Sequence, residues 1–163
     1  MTEHPHYSLG LIIMSMLIAL FLQILPLPVW SAAFRPDWVL LVVLYWIMQL
    51  PERINIGIAW AMGFILDGLN GSLLGEHALA FLIPAFLMTY WQRRFFLFPI
   101  WQQALLVGGM EGLFKFVILI VQGAIGQPPV GVEYWFSIPT TLLLWPWVQA
   151  VLTVQQTHKA ART

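Results

Sequence analysis

A chain of 163 residues that is 60% hydrophobic and only 9% charged, where a soluble domain carries about 25% charged residues, is an integral membrane protein. Its formal net charge of zero and its lack of cysteine exclude the basic face of a nucleic-acid binder, a disulfide scaffold and a cysteine metal site. Six spans of about 20 residues consume most of such a chain and leave little length for a soluble catalytic domain.

The apolar runs predict an all-α bundle of six transmembrane helices. They form a single polytopic domain, residues 1–163, with spans near 8–28, 36–51, 54–74, 77–92, 99–124 and 134–156. The first run ends at Pro26-Leu27-Pro28. Ser31-Ala32-Ala33 resembles a signal cleavage site, but no Lys or Arg precedes the run and the run is long for a signal peptide. It reads as a retained helix. The second span is short: residues 36–51 reach about 24 Å at 1.5 Å per residue, below the roughly 30 Å of hydrocarbon, with a re-entrant segment as the alternative. Phe34-Arg35-Pro36-Asp37-Trp38 opens it. Pro36 suits a first helical turn and Asp37 complements the positive helix end. Arg35 is a candidate ligand for a lipid phosphate, a partner carboxylate or Asp37.

In the third span Ala59, Gly63, Asp67, Gly71 and Gly75 recur every four residues. On a helix this is one ridge of small residues, the pattern that lets neighbouring backbones approach in a membrane. Gly68, Asn70 and Gly71 predict that the helix loosens near its end. A carboxylate in an apolar span marks a function or a buried partner; the bland alternative for Asp67 is a helix-terminal group bonded to the turn at residues 70–72. The fifth span carries Glu111 and Lys115, an i,i+4 pair in the favourable order. Lys115 and Asp67 lie at similar depth, which predicts an interior network of Glu111, Lys115 and Asp67, or a pair of Glu111 and Lys115 alone. Gly108 and Gly112 form a second packing pair. In the sixth span Pro146 kinks the helix, and Trp145 and Trp147 fill the kink or face a partner.

Lys/Arg bias orients the bundle. Arg53, Arg93, Arg94, Lys159 and Arg162 share one face and Arg35 stands on the other, which places both termini in the cytoplasm. Trp30, Trp38 and Trp135 mark the outer boundary, and Trp91 and Trp101 the inner one. His4 and His6 in the tail, and Glu76-His77 in a loop, are too few for a metal site. No nucleophile triad, phosphate loop or zinc motif is present, so neither enzymatic activity nor a cofactor is expected.

Five segments in order carry a resemblance: Phe34-Arg35-Pro36-Asp37-Trp38-Val39-Leu40-Leu41; Tyr45-Trp46; the Gly63, Asp67, Gly71, Ser72, Gly75 run; Trp101-Gln102-Gln103-Ala104-Leu105; and Leu144-Trp145-Pro146-Trp147. Over about residues 9–150 the chain resembles the bacterial rod-shape-determining MreD family. Glu111 and Lys115 are not part of that pattern. The resemblance implies a multi-pass protein of the bacterial inner membrane whose six helices are arranged like the substrate-binding components of energy-coupling-factor vitamin transporters. It implies a scaffold or regulator of lateral peptidoglycan synthesis. The partners it implies are membrane lipid, MreC and, in the same complex, MreB, RodA and its partner transpeptidase. A homodimer through the glycine ridge is compatible with this reading. The alternative is a vitamin-type binding subunit of a transporter, with Asp67 and Lys115 holding the ligand.

Overall fold

The centre of the molecule is the short helix whose sequence is apolar on every side. In the computed structural model, which describes residues 9–95, 97–128 and 130–160 apart from the side chains of Val29 and residues 154–160, every residue from Val39 to Met48 is buried. A helix apolar all round has no face for water and takes the core position. The elements are α1 (Leu9–Ile24), α2 (Val29–Ala32), α3 (Trp38–Gln49), α4 (Ile56–Asn70), α5 (Glu76–Phe95), α6 (Ile100–Ala124), a 3-10 turn (Val132–Trp135) and α7 (Ser137–Ala160), with no strand among the described residues. His4, His6, Arg162 and the Lys159 side chain lie outside the described residues.

The six longer helices alternate in direction. Gln23 at the end of α1 meets Asp37 at the start of α3, Glu76 meets Gln122, and Gln103 meets Gln149. One end of the bundle, here the upper end, thus gathers the connections near residues 25–37, 71–75 and 125–136; the lower end gathers those near 50–55 and 97–99. Helix α3 packs against α1, α5, α6 and α7. Its two central aromatics are tied to the outer helices: Trp46 Nε1 donates to Ser15 Oγ on α1 at 2.8 Å, and Tyr45 Oη lies 3.4 Å from Thr153 Oγ1 on α7.

The outside is apolar. Leu17, Phe21, Phe64, Phe86, Phe116 and Trp147 are exposed, whereas Asp67, Glu76, Glu111, Lys115, Ser137 and Thr141 are buried. A soluble protein distributes these residues the other way round; a lipid-facing bundle, which must satisfy its polar groups internally, distributes them like this. Among the described residues α6 is the one helix long and apolar enough to cross a membrane, and α1, α3 and α4 are apolar but shorter.

Several local expectations change. Helix α3 begins at Trp38, so Pro36 precedes the helix instead of occupying its first turn. Asp37 holds the N-cap position but makes no side-chain cap bond; the Trp38 N–H donates instead to Gln23 Oε1 at 2.9 Å. Helix α4 is capped as sequence chemistry dictates, with Asn55 Oδ1 accepting from the Gly57 and Ile58 N–H groups. It stops at Asn70, with Gly71 in the left-handed region at φ 63°. The four-residue ridge is therefore helical only as far as Asp67. Gly71 and Gly75 (φ 99°) have open space around them and serve backbone conformation, not packing. Ala59 is fully buried, and Gly63 is a true close approach: a Cβ there would lie 2.7 Å from Ala78 Cα.

Gly108 faces the Leu142 side chain, where a Cβ would come to 2.7 Å, and Gly112 faces Ile138 at an ordinary 3.6 Å. The two rings around Pro146 part company. Trp145 is fully buried and meets Phe95 edge-on at 6.1 Å, whereas Trp147 is 70% exposed.

Candidate functional site: two buried polar centres

Both centres lie at the upper end. The first is built by the turn between α4 and α5. Because α4 stops at Asn70 and the glycines reverse the chain, the start of α5 folds back over the last helical turn, against Gly63. Asp67 then receives that start. Its Oδ1 accepts from Ser72 Oγ at 2.9 Å, from the His77 N–H at 3.0 Å and from His77 Nδ1 at 2.7 Å. Its Oδ2 accepts from the Gly75 N–H at 2.9 Å and, more weakly, from the Ala78 N–H at 3.4 Å. A carboxylate only accepts, so the proton between it and the imidazole sits on Nδ1. The first N–H groups of a helix have no partners within it; Asp67 supplies an acceptor from another helix, and its negative charge suits the positive end of α5. Phe114 of α6 tilts against the His77 ring at 6.0 Å.

The second centre joins α1, α3, α6 and α7. Lys115 Nζ lies 3.4 Å from Asp37 Oδ2, with both side chains mostly buried, and 4.4 Å from the centre of the Tyr134 ring. Gln23 Nε2 donates to Asp37 Oδ1 at 3.2 Å. Glu111 makes no ion pair with Lys115 and accepts from Ser137 Oγ at 2.6 Å. Arg35 Nη2 donates to the Leu22 carbonyl at 2.8 Å. Burial lowers the pKa of the Arg35 guanidinium from its ordinary value, and the charge of Asp37 opposes that effect.

The expected interior network is thus divided. Asp67 makes no ion pair with Lys115, whose carboxylate is Asp37, and Glu111 makes none with Lys115 either. Equal depth along two helices did not place the side chains on facing sides. The shared Asp67 and Lys115 pocket that motivated a transporter subunit is not formed. Sequence reasoning missed Gln23, His77, Ser137 and Tyr134. The available signal was polar side chains at the ends of apolar runs, where unpaired groups are costly. It also missed Gln103, which donates to the Phe98 carbonyl at 2.9 Å and accepts from Gln149 at 2.7 Å, fastening the lower α5–α6 corner to α7.

Removing one member of the second centre leaves the other buried without its counter-charge. Lys115→Met is expected to lower stability by about 2 kcal/mol, and adding Asp37→Asn to recover more than half of the loss. Thermal melts of the purified chain in detergent check this; a double variant no better than Lys115→Met would dissolve the pair.

Chemically, the two centres hold the bundle together. Among the described residues no group of three His, Asp or Glu side chains is placed to hold a metal ion. Asp67 has its acceptor sites filled by its own chain.

Comparison with known proteins bears out the family resemblance. Residues 7–154 match the family described as rod shape-determining protein MreD. The chain is 30% identical over 134 residues to the Rod shape-determining protein MreD of Haemophilus influenzae, covering 80% of this chain and 81% of that protein. No solved structure matches it at a significant level, so the expected likeness to energy-coupling-factor components rests on the resemblance alone. With the match running from the start of α1 into the described part of α7, the chain belongs to the MreD family of rod shape-determining proteins.

Proposed function

We propose that the chain serves rod-shape determination as a non-enzymatic scaffold and regulatory subunit of the cell-elongation complex, supporting lateral peptidoglycan synthesis. The observation that carries this reading is the direction of its side chains. Asp67, Glu76, Gln103 and Glu111 are buried and bonded to other side chains inside, and large apolar side chains face outward, which suits a rigid surface for other membrane helices better than a reaction centre. In this reading all six long helices span the inner membrane, arranged like the energy-coupling-factor components. Both termini are cytoplasmic, the lower end with Arg53, Arg93 and Arg94 faces the cytoplasm, and the two polar centres face the periplasm.

The helix-packing glycines support internal assembly more than self-association, because Gly63 and Gly108 are already met by α5 and α7. A homodimer would need another surface. A partner helix has a better place in the apolar groove of about 550 Å³ between α1, α3 and α7, lined by Gly10, Met14, Ile18, Leu144, Trp147 and Val151 among others. We assign it to the membrane helix of MreC, with MreB, RodA and its partner transpeptidase in the same complex.

Depletion of the chain is expected to round rod-shaped cells, and rods that keep their shape would end the functional reading. Filling the groove with Gly10→Leu and Leu144→Trp is expected to cut co-purified MreC by about tenfold, on the scale of losing one well-packed interface side chain, at unchanged membrane levels of the chain. Unchanged co-purification would move MreC to another face.

A further inference from the structure

At the lower corner, where α5 ends and α6 begins, a second pocket of about 430 Å³ is lined by Trp91, Arg94, Phe98, Gln102, Leu105 and Leu106. Its chemistry is graded along one direction. Gln102 belongs to the first turn of α6, and Leu105 and Leu106 lie about one turn deeper, roughly 5 Å further along the axis. Arg94 stands in the last turn of α5 beside Arg93. The pocket therefore passes from Phe98 in the α5–α6 turn at its mouth, past a guanidinium and an amide, to Leu105 and Leu106 on α6 and the Trp91 indole one turn back along α5.

No acidic side chain lines the pocket, and among the described residues no carboxylate pairs with Arg94. The cation is thus left for a ligand. The site sits at the end of the one described helix whose length and apolarity suffice to cross a membrane, where a bilayer's phosphates meet its acyl chains. Basic pockets between membrane helices take anionic head groups. Guanidinium and phosphate match in geometry as well as charge, and an indole is suited to that depth.

We propose that this α5–α6 pocket binds an anionic phospholipid, with the phosphate on Arg94, the glycerol region beside Gln102 and Trp91, and the start of an acyl chain against Leu105 and Leu106. The site is separate from the α1–α7 groove and does not depend on which partner occupies that groove.

Native mass spectrometry of the full chain in mixed micelles tests it, with phosphatidylglycerol and phosphatidylcholine as probes. Wild-type protein should retain phosphatidylglycerol in preference to phosphatidylcholine. Arg94→Gln should weaken phosphatidylglycerol retention by about fivefold, and Arg93→Gln, which alters a residue outside the lining, by less than about twofold. Leu105→Trp, which fills the floor, should reduce retention of the lipid without changing the charge. Equal retention of the two lipids, or an Arg94→Gln chain that keeps phosphatidylglycerol, would overturn the proposal. So would displacement by inorganic phosphate alone, which would make the pocket a phosphate site, or binding of the lipid to Leu105→Trp at wild-type strength. Melting curves of each variant confirm that the fold survives.

Discussion

Asp67→Leu is expected to abolish accumulation of the folded bundle, at a cost of about 3–5 kcal/mol. The side chain is fully buried, and its removal strands the Ser72 hydroxyl, the His77 ring N–H and the Gly75 and His77 backbone N–H groups together. Each buried donor left without an acceptor costs about 1–3 kcal/mol. Asp67→Asn separates charge from geometry. An amide oxygen in the Oδ1 position keeps the Ser72 and His77 bonds, but its NH2 group then confronts the Gly75 and Ala78 N–H groups, donor against donor. Asn is therefore expected to fold with a loss of about 2 kcal/mol, intermediate between wild type and Leu. Protein yield and melting temperature in detergent read both effects. A Leu variant that accumulates and melts like wild type would mean that the start of α5 needs no acceptor from α4.

Gly63→Val carries the second large effect. Its Cβ would fall 2.7 Å from both Cα and N of Ala78 and 2.8 Å from the His77 carbonyl carbon. These are backbone atoms, and no rotamer change moves them away. Overpacking of this kind typically costs about 1–3 kcal/mol and occasionally more; a β-branched residue against backbone belongs at the upper end. The same clash pushes His77 off Asp67, so the substitution strikes the first polar centre as well. Gly68→Ala is the contrast. One helical turn further on, a Cβ there meets nothing within 4 Å, and the gain in helix propensity is about 1 kcal/mol. If the two substitutions shift the melting temperature alike, the α4–α5 seam is not the close approach described.

The sequence made the unusual groups conspicuous and offered the turn at residues 70–72 for Asp67, where Ser72 does bond it, but it did not find the other partners. Asp67, Glu111 and Lys115 stand out because a charge in an apolar run is costly. Partner choice depends on which way each side chain points around its helix, and on where the chain reverses, and neither is set by depth. The reversal at Gly71 brings His77 back onto Asp67, ten residues away in sequence. Lys115 instead reaches Asp37, whose place before α3 suggested a cap or a partner for Arg35. The glycine ridge was legible in part: Gly68, Asn70 and Gly71 predict that the helix loosens near its end, and α4 does stop at Asn70. A four-residue spacing reads as one helical face, yet its upper members sit where the helix has ended, and their glycine is required by positive φ at Gly71 and Gly75. Tryptophan was easier in kind than in place. Nothing in Trp145-Pro146-Trp147 said that one ring is enclosed beside Phe95 while its neighbour faces outward.

During synthesis, α3 emerges before three of the four helices that surround it, since α5, α6 and α7 follow it in the chain. At 12 residues it is about 18 Å long, shorter than the roughly 30 Å of hydrocarbon, and every residue from Val39 to Met48 is buried in the finished molecule. Helix α3 therefore meets α1 first and gains its remaining walls only as α5, α6 and α7 emerge. The innermost helix is thus fully enclosed only when the last helix of the chain is in place.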